Sequence, residues 1–255
     1  MRFIIDKKDS GGIPVLDVYQ AQAGRKLPVI LFLHGFGSKK ERKLTHSFYL
    51  AEAGYFVCAF DAFDHGERLS DEYDALSSVE QQSCLFDIIL DTSQTINSII
   101  DVYSSHPAAD TSRVGLIGTS MGAMTVFHYI THFRAPCVKV AMPIIGTPVW
   151  ESNIKSKILE DLRFAPYFDN KKLKKIAREE PARFLDAIAD FPLLVQNGVD
   201  DELMPIEDLR DFAGKAQLIY TKKECFAFHD YYDIGHEATD AMIETAIEWC
   251  KKYLL

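Results

Sequence analysis

The sequence predicts an α/β fold in which a mostly parallel sheet is covered by helices on both faces. Three observations point there. Short apolar, β-branched runs alternate with longer stretches whose apolar residues recur at helical spacing, the pattern of βαβ crossovers. One run, Val114 to Ile117, stops abruptly at Gly118-Thr119-Ser120-Met121-Gly122 and continues as an amphipathic segment. The strand-like runs are apolar throughout, as strands buried on both faces must be.

Taken in order, Ile13 to Tyr19 and Val29 to Leu33 read as strands, and the polar Gln20 to Lys26 between them suggests an early hairpin. The second run ends at His34-Gly35-Phe36-Gly37-Ser38. A polar-faced helix follows from Lys39, carrying Leu44, Phe48, Leu50 and Ala51 inward and stopping at Gly54. Tyr55 to Phe60 is the next strand and breaks into the polar loop Asp61 to Arg68. Val79 to Tyr103 reads as one long helix with Leu85, Ile88, Ile89, Ile96, Ile99 and Ile100 on a common face, ended by His106-Pro107.

The strand that enters the serine motif begins near Arg113, and Val126, Phe127, Ile130 and Phe133 leave it at helical spacing. Val138 to Ile145, Leu193 to Gln196 and Glu224 to Phe228 are further strands, and Ala238 to Tyr253 is a terminal amphipathic helix. Between Trp150 and Asp190 the alternation lapses into consecutive helices. Lys171, Lys172, Lys174 and Lys175 there read as a solvated face.

With a net charge of -9 over 255 residues, the chain lacks the basic surface needed to hold nucleic acid or anionic membranes. Charge returns after three apolar residues at the N-terminus, too soon for a signal-peptide core. Five scattered cysteines without a Cys-x-x-Cys pair suit a reducing cytoplasm. Neither a metal nor a cofactor is expected. His128 and His132 lie one helical turn apart, a spacing that suits metal, but no His-Glu-x-x-His motif surrounds them and they are read as ordinary helix-face histidines.

In an open parallel sheet, functional loops gather at the carboxyl ends of the strands. Four sequence features fall there: the serine turn, His34 to Gly37, Asn197 to Pro205, and Asp233 to Glu237 just before the last helix. They supply what acyl transfer needs, with Ser120 as nucleophile, His236 as general base and then acid, and a carboxylate to fix the imidazole tautomer. Gly118 and Gly122 let the following helix approach the strand and leave Ser120 on a strained, exposed turn. The acid loop offers Asp200 and Asp201, which cannot both face one histidine; Asp201 is the choice. The backbone N–H groups of Phe36 and Met121 would form the oxyanion hole, each worth about 3–4 kcal/mol in a dry site. His229 sits closer to its strand than His236, and His34 and His65 are expected to brace their loops through hydrogen bonds.

These pieces resemble the α/β-hydrolase superfamily, and within it the small bacterial carboxylesterases of the YjfP/YitV type, near the dienelactone-hydrolase and prolyl-oligopeptidase-like branches. The matching residues are His34 to Ser38, Asp61-Ala62-Phe63-Asp64-His65-Gly66-Glu67-Arg68, Gly118 to Thr125, Gly198 to Pro205 and Gly235-His236. The Asp-x-x-x-His-Gly-x-Arg loop is the more specific, because hydrolases at large do not share it. The resemblance implies one domain with a central sheet of about eight strands, a helical cap insertion at about 148–190, and hydrolysis of small carboxylic esters without a cofactor. Position 120 is serine where dienelactone hydrolases use cysteine, which argues against that substrate. A thioesterase, a sugar-ester deacetylase and a peptidase use the same machinery. A non-catalytic protein on this fold is disfavoured because no triad member is missing.

Overall fold

The computed structural model describes residues 2–255 and places eight strands in one sheet, in the order β1-β2-β4-β3-β5-β6-β7-β8. They are β1 (Phe3–Asp9), β2 (Pro14–Gln20), β3 (Leu27–Leu33), β4 (Phe56–Phe60), β5 (Ala109–Thr119), β6 (Val138–Ile144), β7 (Leu193–Gly198) and β8 (Phe226–Tyr231). The six from β3 to β8 run parallel, and β2 pairs antiparallel with both β1 and β4.

β3 is buried at every residue because both of its faces are covered. Val29, Leu31 and Leu33 point to one side, where α4 (Leu85–Tyr103), α5 (Met121–His132) and α8 (Ile206–Ile219) bring Ile96, Ile99, Val126, Phe127, Leu209 and Phe212. Ile30 and Phe32 point to the other, against α1 (Leu44–Glu52) and α9 (Asp240–Leu254). This two-residue alternation is the geometry of a strand. Along α9, Met242, Ile243, Ala246, Cys250 and Leu254 recur at helical spacing and are buried; a fully buried Ile or Met side chain contributes about 1.5–3 kcal/mol.

Three sequence expectations need correction. The early hairpin does not join Ile13–Tyr19 to Val29–Leu33, because β4 lies between those strands. β2 turns back instead on β1, through Ser10-Gly11-Gly12-Ile13, where both glycines adopt positive φ and Ser10 N–H donates to the Ile13 carbonyl at 2.9 Å. β3, apolar on both faces, takes the interior with parallel neighbours, and the more exposed β1 takes the edge. The second correction concerns Leu44, which is partly exposed: a 3₁₀ turn over Lys40–Lys43 precedes α1 and buries Lys40 in its place. Finally, the long helix is two, α3 (Ser78–Ser83) and α4, after a single turn α2 (Asp71–Asp74). The α8 helix was not anticipated, although Leu209, Phe212, Ala213 and Ala216 carry its periodicity.

Between β6 and β7 the chain leaves the sheet as α6 (Trp150–Glu160), a 3₁₀ turn over Leu162–Tyr167, α7 (Asn170–Glu179), and 3₁₀ turns over Pro181–Arg183 and Leu185–Ile188. Its underside, including Trp150, Ile154, Phe164, Phe168 and Ile176, packs on Phe86, Ile89, Met121 and Met124 as a third apolar cluster. The segment is closed at its base. The buried Glu180 carboxylate accepts the N–H groups of Trp150 at 3.0 Å and Glu151 at 2.7 Å, and Ala182 N–H donates to the Pro148 carbonyl at 3.1 Å. A carboxylate at the first turn of α6 also suits the positive end of that helix.

Candidate active site

β5 ends at Thr119 and α5 begins at Met121, so one residue makes the whole strand-to-helix turn. Ser120 makes it at φ 56° and ψ -118°, in a region that L-residues rarely occupy. The flanking glycines show what holds it there. A Cβ on Gly118 would lie 2.2 Å from the Gly122 carbonyl oxygen, and one on Gly122 would lie 2.4 Å from the Leu33 oxygen. Gly146, after β6, is a third such position: its Cβ would meet Ala123 at 2.5 Å and the Ser120 oxygen at 2.8 Å. That last requirement is invisible in a motif search because it arises between strands.

The structure brings Ser120, His236 and Asp201 into one hydrogen-bonded line. Ser120 Oγ lies 2.8 Å from His236 Nε2, and His236 Nδ1 lies 2.8 and 3.0 Å from the two Asp201 carboxylate oxygens. Asp201 is itself fixed, since one of its oxygens accepts the N–H groups of Leu203 at 3.0 Å and Met204 at 2.9 Å. A buried carboxylate with two backbone donors and an imidazole N–H is held in place. Asp200 points to solvent, while its N–H donates to the Ile234 carbonyl at 3.0 Å. That bond joins the acid loop to the histidine loop. Gly198 permits the junction: a Cβ there would sit 2.1 Å from the Ile234 oxygen. His229 is exposed on β8 and takes no part.

Over the serine lies the turn that follows β3. A Cβ on Gly35 would meet the Ser120 Cβ at 3.3 Å. Two histidines brace that turn. His34 donates from Nδ1 to the Gly35 carbonyl at 2.8 Å and accepts the Ala62 N–H on Nε2 at 3.0 Å. His65 donates from Nδ1 to the Phe63 carbonyl at 3.0 Å and accepts the Gly37 N–H on Nε2 at 2.9 Å. Burial lowers the His34 pKa to about 4 and lowers that of His65, so both imidazoles stay neutral and keep one lone pair for the backbone.

Beneath this turn the Asp61 carboxylate organises the Asp-x-x-x-His-Gly-x-Arg loop. It accepts the Lys40 ammonium at 2.6 Å, the Lys40 N–H at 2.9 Å and the Glu67 N–H at 3.0 Å, while Arg68 donates to its carbonyl at 3.2 Å. The Lys40 ammonium also reaches Glu67. Burial pulls the ammonium toward deprotonation, but these bonds outweigh it and hold its pKa above the ordinary value. Gly66 is required because a Cβ would stand 2.3 Å from the Asp61 carboxylate.

A cavity of about 270 Å³ opens on Ser120. Phe36 and Met121 border it beside the serine, Met124 and Leu85 give it an apolar floor, and Asn153, Lys157, Glu160, Asp161 and Phe164 come down from α6 and the turn after it. Glu202 and Met204 close the side nearest the acid loop. No helix among the described residues is long and apolar enough to cross a membrane.

Residues 24–179 match the family model described as Serine aminopeptidase, S33 (Hydrolase_4). Over 258 residues the chain is 25% identical to YitV of Bacillus subtilis (strain 168), covering 98% of this chain and 99% of that one. It is 28% identical over 211 residues to Esterase YjfP of Escherichia coli (strain K12), covering 80% and 81% of the two chains. The fold is also that of TT1662 from Thermus thermophilus, with a TM-score of 0.76 at 19% identity, covering 100% of this chain and 99% of that chain. With the family match spanning most of the chain and an eight-stranded sheet of this order, the chain is a serine hydrolase of the α/β-hydrolase fold and belongs to the Serine aminopeptidase S33 family.

Proposed function

We propose that this chain is a carboxylesterase acting on small esters through Ser120, His236 and Asp201. The observation that carries the reading is the unbroken line from the Ser120 hydroxyl through His236 to Asp201, opening on the cavity beside the serine. His236 Nε2 takes the Ser120 proton as the hydroxyl attacks the ester carbonyl. The tetrahedral oxyanion lies against the N–H groups of Phe36 and Met121, the latter the first amide of α5, which has no acceptor within the helix. Collapse expels the alcohol, protonated by the imidazolium, and leaves an acyl-Ser120 that water, activated by the same imidazole, releases as the acid. Residues 148–190 act as the cap over the pocket within a single domain. The name of the relative Esterase YjfP agrees with ester hydrolysis.

Activity on short p-nitrophenyl esters tests this directly. Ser120→Ala should remove turnover by about a million-fold while leaving the fold intact, judged by circular dichroism. A variant that keeps measurable turnover overturns the assignment.

A second reading is hydrolysis of aminoacyl amides. Glu160 and Glu202 line the pocket against Lys157, with Asp161 beside them paired to Arg163, and the two remaining carboxylates suit a substrate bearing an amine. Faster cleavage of aminoacyl p-nitroanilides than of uncharged p-nitrophenyl esters decides in its favour.

A further inference from the structure

His128 and His132 sit one turn apart on α5, and the fold supplies the carboxylate that the local sequence lacks. Glu179, the last residue of α7, reaches back to place an oxygen 3.3 Å from His128 Nε2 and 3.7 Å from His132 Nε2. One ligand atom from each of the three lies within 4.8 Å of the others, the sole such group among the described residues. The two rings are stacked, with centroids 4.3 Å apart.

The hydrogen bonds behind the rings decide what the front edges present. Ser93 Oγ lies 2.8 Å from the Leu90 carbonyl, an obligate acceptor, so its proton is directed there. The same oxygen, 2.7 Å from His128 Nδ1, is then free to accept, which puts the His128 proton on Nδ1. His132 Nδ1 lies 3.1 Å from the His128 carbonyl and 2.8 Å from Thr131 Oγ1, whose own proton goes to the Phe127 or His128 carbonyl, so both neighbours call for an N–H there too. Both Nε2 atoms therefore turn lone pairs toward the Glu179 carboxylate. His132 Nε2 is buried without a hydrogen-bond partner, and the His128 side chain is 1% exposed. Trp150 stacks on His128, and Phe184 meets His132 edge-on at 4.4 Å, so water is largely kept from the rings. Three acceptors converge here beside aromatic rings, with Glu179 the one most open to solvent, an arrangement suited to a cation between them.

We infer that His128, His132 and Glu179 form a Zn²⁺ site that ties α7 to the helix carrying the nucleophile turn. Two neutral imidazoles and one carboxylate are a borderline-soft donor set suited to zinc, and histidines one turn apart on a helix are an established chelating pair. Ser93 and the His128 carbonyl supply the outer hydrogen bonds that ligating histidines usually have. Zn–N distances of about 2.1 Å require the three groups to close in slightly, and water would complete the coordination. The site stands roughly 12–18 Å along α5 from Ser120, so its role is to hold the two helices together rather than to take part in hydrolysis.

The test is independent of the substrate. The full chain, stripped with a chelator, is titrated with Zn²⁺ by calorimetry, and with Co²⁺ while visible absorption is recorded. One equivalent of Zn²⁺ should bind, Co²⁺ should give the ligand-field bands of a low-coordinate nitrogen and oxygen site, and zinc should raise the melting temperature. Glu179→Gln and His132→Gln should each weaken zinc binding at least tenfold and abolish the melting shift. Glu179 is a partly exposed helix-end residue whose replacement leaves the core intact, so a folded variant is assured for the comparison. Absence of stoichiometric binding, or equal affinity in both variants and the parent chain, overturns the site.

Discussion

The imidazole of His65 accepts the Gly37 N–H at 2.9 Å, bridging the loop after β4 to the turn after β3. The bond matters because that turn also carries Phe36, whose N–H must keep a fixed position over Ser120 if it is to stabilise an oxyanion. His65→Ala should therefore lower kcat on p-nitrophenyl esters while KM moves less than twofold. Losing a donor outright costs about a hundredfold, so loosening one should cost about tenfold. Steady-state kinetics, with folding checked by thermal melting, measures it.

The carboxylate assignment has a similar internal control. Asp201→Asn keeps the size of the side chain but presents an amide to His236 Nδ1, favouring the wrong tautomer. Turnover should fall by about 10³–10⁴-fold. Asp200→Asn changes a solvent-facing group and should stay within about threefold of the parent. The two variants assayed side by side decide between neighbouring residues.

His34 makes stability depend on pH. Its folded pKa, near 4 through burial, lies below the ordinary 6.5, so between those values the unfolded chain binds a proton that the folded chain does not. Stability should therefore fall as the pH drops from about 6.5 to about 4, by up to about 3 kcal/mol from this residue, and level off below. Urea midpoints at pH 7, 5.5 and 4.5 report the slope. His34→Gln cannot titrate in this range and should make the slope shallower by this residue's share, while other histidines whose pKa values burial also lowers, His46 and His65 among them, keep the remainder.

Lys40 and Asp61 are both fully buried, and the Lys40 ammonium also reaches the half-exposed Glu67. Lys40→Met leaves the Asp61 carboxylate without its ammonium and should cost about 3–5 kcal/mol, read as a lower melting temperature. The loss should be accompanied by reduced activity, because Asp61 also anchors Glu67 and Arg68, just after His65.

Much of the site was legible because acyl transfer demands particular residue types at particular breaks in an apolar pattern. Gly118, Ser120 and Gly122 announce a turn that no other residues make at that closeness, and the Gly-His step before α9 announces a flexible reach. What escaped the sequence was set by contacts between distant segments. Lys40 reads as one of several surface lysines until Asp61 meets it across 21 positions. Gly11 and Gly12 carried the hairpin signal, but the strand before them is polar enough to read as a tail. Glu179 is an ordinary end to a charged helix until tertiary packing sets it against His128, 51 positions earlier.

Glu180 has a consequence beyond capping α6. Because its carboxylate and the Ala182–Pro148 bond pin the two stems of residues 150–180 together, the scaffold already holds the ends of that segment in place. Loop-closure entropy grows only slowly with length, so a replacement of different length that keeps Glu180 and again covers Phe86, Ile89, Met121 and Met124 meets a small thermodynamic obstacle. A segment closed at its own base in this way can be exchanged as a unit while the sheet and the turn at Ser120 keep their own contacts.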